Sequence, residues 1–177
     1  MEDNYVKLAK KAVIKAVTGE DPGGMQELRN SLPEEERGVF VTLKRENGDL
    51  RGCIGTYSPV TESLDEEIIR NASSAALDDP RFSPVNPGEL DELTISVDVL
   101  SRPEPCERED LDPERYGIIA KKGTKSGLLL PDLEGVDSVE KQIEVTKKKA
   151  GIPPMDENFE LERFEVNRHE GEKPIVR

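Results

Sequence analysis

The stretch Val39-Phe40-Val41-Thr42-Leu43-Lys44, followed by Asn47-Gly48 and then by Leu50-Arg51-Gly52-Cys53-Ile54-Gly55-Thr56, sets two apolar runs on either side of a dipeptide that tolerates positive φ angles. This pattern predicts a β-hairpin with a type I′ turn. With Asn47 and Gly48 as a two-residue loop, Glu46 pairs with Asp49 and Lys44 stands opposite Arg51. Thr42 then falls opposite Cys53, and Val41 opposite Ile54. Side chains alternate along a strand, so Arg51 and Cys53 share one face while Ile54 and Val41 enter the core. A one-residue shift of the partner strand removes Lys44 from this group and leaves Arg51.

The second arm of the hairpin holds the candidate chemistry. A thiol flanked by Arg51 and Lys44 lies in positive potential, which favours its thiolate form. Gly52 and Gly55 remove side chains where a ligand or another backbone comes close. The plainer reading of the same residues is a small buried cysteine beside a strand bulge. Both readings stand at this level.

Working outward, Tyr5, Leu8, Ala9, Ala12, Val13, Ala16 and Val17 recur at helical spacing until Gly19. Ser63-Leu64-Asp65-Glu66 has the form of a capping box, and Leu64, Ile68, Ala72, Ala75 and Ala76 continue a helical stripe. The positive N-terminus of that helix follows Cys53 closely enough to face the same site and attract an anion. Pro80 and Pro84 end the helix. Between them Arg81 is either a second cation beside Cys53 or the ion-pair partner of Asp78 or Asp79. Leu93 to Val99 alternates cleanly, as a strand with one wetter face does. Arg102 to Arg115 is an acidic, proline-marked connection in which Cys106 is incidental.

Gly117 to Ala120 and Gly127 to Leu130 read as short buried strands. They flank Lys121 to Ser126, a basic, hydroxyl-bearing loop that can take phosphate or carboxylate but is not a Walker motif. A helix follows from Ser138 to Ala150, capped by Asp137. Phe159 to Phe164 alternates as a closing strand at a sheet edge, and residues 168–177 read as a frayed polar tail.

At 177 residues the chain suits one domain, or a domain with a small lobe. Its 38 acidic and 25 basic side chains leave a net charge of −13, which repels phosphate backbones and makes a nucleic-acid partner unlikely on charge alone. Two cysteines without CxxC spacing form neither a disulfide framework nor a metal finger, and no metal site or cofactor is expected. The start of the chain lacks the apolar run of a signal peptide, and no segment reaches the ~20 apolar residues of a membrane span, so a cytoplasmic location is expected. The single histidine, His169, lies in the tail and is not placed to act as a base for Cys53.

Leu50-Arg51-Gly52-Cys53-Ile54-Gly55 resembles the signature of the AMMECR family, the AMME-syndrome candidate protein and its archaeal and bacterial relatives. Prokaryotic members are also described as protein A of the AmmeMemoRadiSam system. Gly38 to Leu43, Asp79-Pro80-Arg81-Phe82-Ser83-Pro84-Val85, Glu89-Leu90, Leu93 to Val97 and Gly127 to Pro131 extend the likeness, so residues 1–177 read as a single AMMECR-type domain. The family often carries tryptophan after its last helix, whereas this chain has Met155 to Phe159 there and no tryptophan.

The residues themselves imply an α+β fold, a mainly antiparallel sheet with packed helices. The resemblance implies larger and smaller lobes separated by a cleft. Arg51, Gly52, Gly55, Thr56, Arg81 and Lys44 are the candidate ligand-binding residues, and Cys53 is the catalytic candidate if the protein is an enzyme. Three functions compete. The first is a binding or accessory module for an anionic small molecule or a partner segment, with a Memo-like protein and a radical-SAM enzyme as the partners the resemblance implies. The second is an enzyme using a Cys53 thiolate for covalent or redox chemistry. The third is a nucleic-acid-associated regulator.

Overall fold

The computed structural model describes residues 2–176. It is α+β, with two four-stranded, mainly antiparallel sheets and four helices, and it divides into a larger and a smaller unit. The larger unit runs to Val99 and resumes at Asn167, and the smaller one is Leu100–Val166.

In the larger unit the helices are α1 (Asn4–Thr18), α2 (Met25–Asn30) and α3 (Leu64–Leu77), and the sheet order is β2-β1-β3-β8. Its strands are β1 (Val39–Arg45), β2 (Leu50–Thr56), β3 (Leu93–Leu100) and β8 (Val166–Glu170). The α1 stripe found in the sequence is the buried one: Leu8, Ala9, Ala12 and Val13 are sealed against Leu64, Ile68, Ala72 and Ala75 of α3 and Val39, Val41 and Leu43 of β1. Burying each large aliphatic side chain contributes roughly 1.5–3 kcal/mol, so this layer supplies most of the unit's hydrophobic stabilisation. Asp3 caps α1 by accepting from Val6 N–H at 3.1 Å, and Gly19 ends it in the left-handed conformation.

The hairpin is where the sequence places it, with a different turn. Arg45 N–H donates to Asp49 O and Gly48 N–H to Arg45 O, each at 2.9 Å, which makes a three-residue loop with Gly48 at φ 88°. This is a type I turn followed by a left-handed glycine, held by Asp49 N–H on the Asn47 side chain. The extra loop residue sets Lys44 opposite Leu50, and a bulge between Leu43 and Lys44 restores the expected pairing from Leu43 with Gly52 onward. Thr42 with Cys53 and Val41 with Ile54 are therefore as expected, but Lys44 is not across from Arg51. Arg51 is the unpaired residue of the bulge.

The C-terminal segment is not a frayed tail. β8 joins the sheet, Gly171 N–H donates to Ile95 O and Ile175 N–H to Leu93 O, and Ile175 is buried. The Lys10 ammonium anchors it further, donating to the carbonyls of Lys173 and Pro174 at 2.8 and 3.0 Å.

The smaller unit has sheet order β4-β7-β5-β6, from β4 (Glu104–Pro105), β5 (Gly117–Lys122), β6 (Lys125–Leu129) and β7 (Glu160–Phe164), with α4 (Val139–Ala150) packed on it. Ser138, not Asp137, caps α4 by accepting from Lys141 N–H. β7 lies inside the sheet, with β4 beyond it, so it is not an edge. The basic loop shrinks to Gly123 and Thr124, because Lys121, Lys122 and Lys125 belong to the paired strands.

Candidate functional site

Arg51, the fixed cation of the signature, is turned inward. Its side chain is 5% exposed, its Nε and Nη2 fork onto the Glu89 carboxylate at 2.8 and 3.0 Å, and its Nη1 donates to Ser83 O at 3.0 Å. The bulge explains this, since an unpaired strand residue is free to aim its side chain at the connection before β3. Glu89 is correspondingly held below the usual carboxylate range, first by the Arg51 fork, against the opposing effect of burial.

Gly52 is a seat for α3. A Cβ there would lie 2.1 Å from the carbonyl oxygen of Ala75. The close approach anticipated at this glycine is thus made by another backbone. Gly55 lies under the ring of Phe40, its cross-strand partner. Thr56, opposite Val39, faces the helix layer: its hydroxyl donates to Glu67 and accepts from Asn71 Nδ2 at 3.2 Å. Glu67 is fully buried. Burial pushes its carboxyl upward, but the Thr56 and Thr61 hydroxyls and the N–H groups of Val60 and Thr61 outweigh this and hold it below its ordinary value. The Glu67 carboxylate takes up the amides of residues 60–61 that lead into α3, and Ser63 makes no side-chain cap bond, so the start of α3 lacks the expected capping box.

Cys53 lies on the other face, half-buried, with the Thr42 hydroxyl donating to its sulfur at 3.2 Å. Its backbone is clamped by the Asp79-Pro80-Arg81 turn. Cys53 N–H donates to Asp79 Oδ2 at 2.9 Å, and Arg81 Nη2 approaches Cys53 O at 3.4 Å. Asp79 also accepts from Arg81 Nε and Nη2 at 3.0 and 2.8 Å. The fork from Arg81 is the largest influence that keeps the Asp79 carboxyl well below the usual carboxylate range. Asp79 is 2% exposed, yet Arg81 is 55% exposed, so the pair presents a guanidinium outward from a buried counter-charge. Both Arg81 and Arg51 lie over the Phe82 ring, at 5.5 and 5.9 Å from its centroid.

Of the residues singled out in the sequence, the fold therefore brings together only Cys53 and Arg81, and joins Thr42 to them. Lys44 is exposed on β1, with Leu50 across from it. Asp79, the anchor of Arg81, is visible in the sequence only as one of two neighbouring acids. Glu89 enters the sequence reading only through the Glu89-Leu90 match, and Glu67 carries no sequence signal, because no local period marks the groups that the fold sets beside them.

His169 stacks on Tyr5 at 4.0 Å and its Nδ1 meets Asp3 at 2.6 Å, so it is bound to the start of α1. Burial pushes the Cys106 thiol up to about 11. Among the described residues no three His, Cys, Asp or Glu side chains gather as a metal-ligand set. Two of the cavities among the described residues lie elsewhere. One of about 710 Å³ is lined by α1, α2, α3 and the Asp21–Gly24 loop. The other, of about 910 Å³, is lined by Lys121–Lys125 and Pro153–Glu160. In the latter, Lys121 pairs with Glu162, Lys122 with Asp156, and Lys125 donates to Gly151 O, so each lysine is already engaged.

Comparison with known proteins gives one consistent answer. The AMMECR1 family model matches residues 6–169. A Thermotoga maritima protein is 49% identical over 95% of this chain and 98% of its own length. A Clostridium acetobutylicum protein is also 49% identical over 95% of this chain, which spans only 36% of that longer protein. The crystal structure of an uncharacterized protein from Pyrococcus horikoshii superposes with a TM-score of 0.84 at 37% identity, covering 96% of this chain and 91% of that one.

Proposed function

Because the chain belongs to the AMMECR1 family, whose signature strand it folds around a buried Arg51, we propose that it is a cytoplasmic binding module. Its receptor surface is the outer face of the first sheet at Arg81 and Cys53, and its ligand is an anionic small molecule or an anionic segment of a partner. The observation that carries this is the Arg81 guanidinium, forked by a buried Asp79 and still 55% exposed. A guanidinium held in this way loses little further freedom on meeting a carboxylate or phosphate. Thr42 adds a neutral hydrogen-bonding group beside it.

The resemblance to AmmeMemoRadiSam protein A makes a Memo-like protein and a radical-SAM enzyme the partners in this reading. The Clostridium relative supports a module that works joined to another protein region. No helix among the described residues is long and apolar enough to cross a membrane.

The test is alkylation of Cys53, resolved from Cys106 by peptide mass spectrometry, with anionic iodoacetate and neutral iodoacetamide. Relative to free cysteine, wild type should prefer iodoacetate by about threefold, the size of a partly exposed charge pair. Arg81→Gln should remove that preference. Equal ratios in the two proteins contradict the reading. A second reading, Cys53 as a covalent or redox nucleophile, has the Thr42 hydrogen bond to its sulfur in its favour. The same experiment reads on it: an iodoacetamide rate well above that of free cysteine supports a nucleophile, and a rate at or below it leaves binding alone.

A further inference from the structure

One row on the outer face of the first sheet carries opposite charges at its two ends. Thr42 lies across from Cys53 on one side and from Ser96 on the other. The bond from Gly171 N–H to Ile95 O, with Arg168 forked onto Asp98, sets Glu170 across from Ser96. The row therefore runs Cys53, Thr42, Ser96, Glu170, with Arg81 at the Cys53 end. It begins at an outward guanidinium and ends at an exposed carboxylate. A thiol and two hydroxyls, each half-buried, stand between. Two interstrand spacings of about 4.8 Å carry the row from Cys53 to Ser96, roughly 10 Å, and a third brings it to Glu170.

The hydrogen-bonding capacity left over along this row defines what fits it. Asp79 occupies Nε and Nη2 of Arg81, and Nη2 also approaches Cys53 O, which leaves Nη1 for a ligand. One nitrogen suits a carboxylate better than a phosphate dianion, whose oxygens call for several donors. Thr42 gives its proton to the Cys53 sulfur and keeps its oxygen as an acceptor. The Ser96 hydroxyl has no hydrogen-bond partner among the described residues. Glu170 accepts hydrogen bonds and repels a second carboxylate. The Asp98–Arg168 pair beside it is internally neutral, so Glu170 sets the sign of that margin. Lys44 belongs to the next row, across from Leu50 and Thr94.

Resting on the reading of Arg81 as an anion receptor, we propose that its ligand is a polyhydroxylated monocarboxylate, a sugar acid of about six carbons, the length that two interstrand spacings admit. The carboxylate meets Arg81, hydroxyls along the chain meet Thr42 and Ser96, and the far hydroxyl donates to Glu170. A simple acid leaves the hydroxyl row unused. A dicarboxylate brings its second charge against Glu170.

The test is protection of Cys53 from iodoacetamide in the full chain, at constant ionic strength, by acetate, gluconate and glucarate. Gluconate should protect at a concentration lower than acetate by about threefold or more, the factor that one net hydrogen bond supplies. Glucarate should gain no such factor over gluconate, in spite of its second acid group. Ser96→Ala should bring gluconate close to acetate, and Glu170→Gln should give glucarate the advantage that the wild type denies it. Both variants are checked for folding by circular dichroism. Gluconate no better than acetate, glucarate better than gluconate by that factor in wild type, or an unchanged ratio in either variant overturns the sugar-acid proposal. In each of these cases Arg81-dependent protection by acetate leaves the anion-receptor reading standing. If no acid protects and Arg81→Gln does not alter the iodoacetate preference, the receptor reading falls and this inference falls with it.

Discussion

Replacing Gly52 by alanine adds one methyl group at the point where α3 rests on the signature strand. The new Cβ would sit 2.1 Å from the carbonyl oxygen of Ala75 and 3.2 Å from its carbon, whereas real Cβ contacts essentially never fall under 3.0 Å. Helix and strand must therefore separate by roughly 1 Å, and the obstacle is backbone rather than a side chain that can swing aside. Leu64, Ile68, Ala72 and Ala75 on the same helix are buried to within 1%, so a retreat of α3 loosens the whole layer. Overpacking commonly costs about 1–3 kcal/mol, and a backbone obstruction belongs at or just above the top of that range, about 3–4 kcal/mol. For a domain of this size each kcal/mol lowers Tm by about 2–4 °C, so a fall of roughly 6–16 °C is expected. Gly55→Ala is the control. Its Cβ would lie 2.2 Å from Cγ of Phe40, so that half-buried side chain must swing aside about its Cα–Cβ bond, and about 1–2 kcal/mol is expected. Urea unfolding followed by far-UV circular dichroism measures both. A loss at Gly52 no larger than that at Gly55 would refute the seating of α3 on β2.

Arg51→Ala leaves the Glu89 carboxylate and the Ser83 carbonyl without their buried donor, at a cost of about 3 kcal/mol in urea unfolding. Arg51→Lys, a point charge in place of a fork, should recover less than half of that; full recovery would contradict the geometry. Asp79, Glu89 and Glu67 all hold their protons less tightly folded than unfolded. The stability they add is present above the ordinary carboxylate pKa near ~4 and is lost as pH falls through their lower folded values. Acid unfolding should therefore begin below the ordinary carboxylate range. Arg81→Gln should move its midpoint to higher pH by releasing Asp79, and an unmoved midpoint counts against that pair. Glu67→Ala leaves the N–H groups of Val60 and Thr61 without their acceptor, so a loss of roughly 2–4 kcal/mol and faster hydrogen exchange across residues 57–61 are expected. Exchange no faster than in wild type would show that Glu67 does not hold that loop.

The hairpin, the helical stripes and the closure of β5 on β6 are legible because each rests on a local period. What escaped is non-local. A two-residue and a three-residue loop differ by one residue around Asn47-Gly48, and the bulge at Arg51 cancels that difference within a few positions, so Thr42 meets Cys53 under either reading. Arg51 itself changes role through Glu89, 38 positions away. The C-terminal segment looks frayed by composition, yet Ile175 and the carbonyls facing Lys10 tie it down. Asp98 meets Arg168 only because β8 lies beside β3.

The account turns on a division of labour between two arginines, one sealed as a structural pin and the other offered to solvent. Side-chain Nε–H resonances of Arg51 and Arg81, followed by NMR during titration with acetate and then phosphate, test it most directly. Arg81 should shift saturably while Arg51 stays fixed and exchanges slowly with solvent. Shifts at Arg51, or none at Arg81, would contradict it.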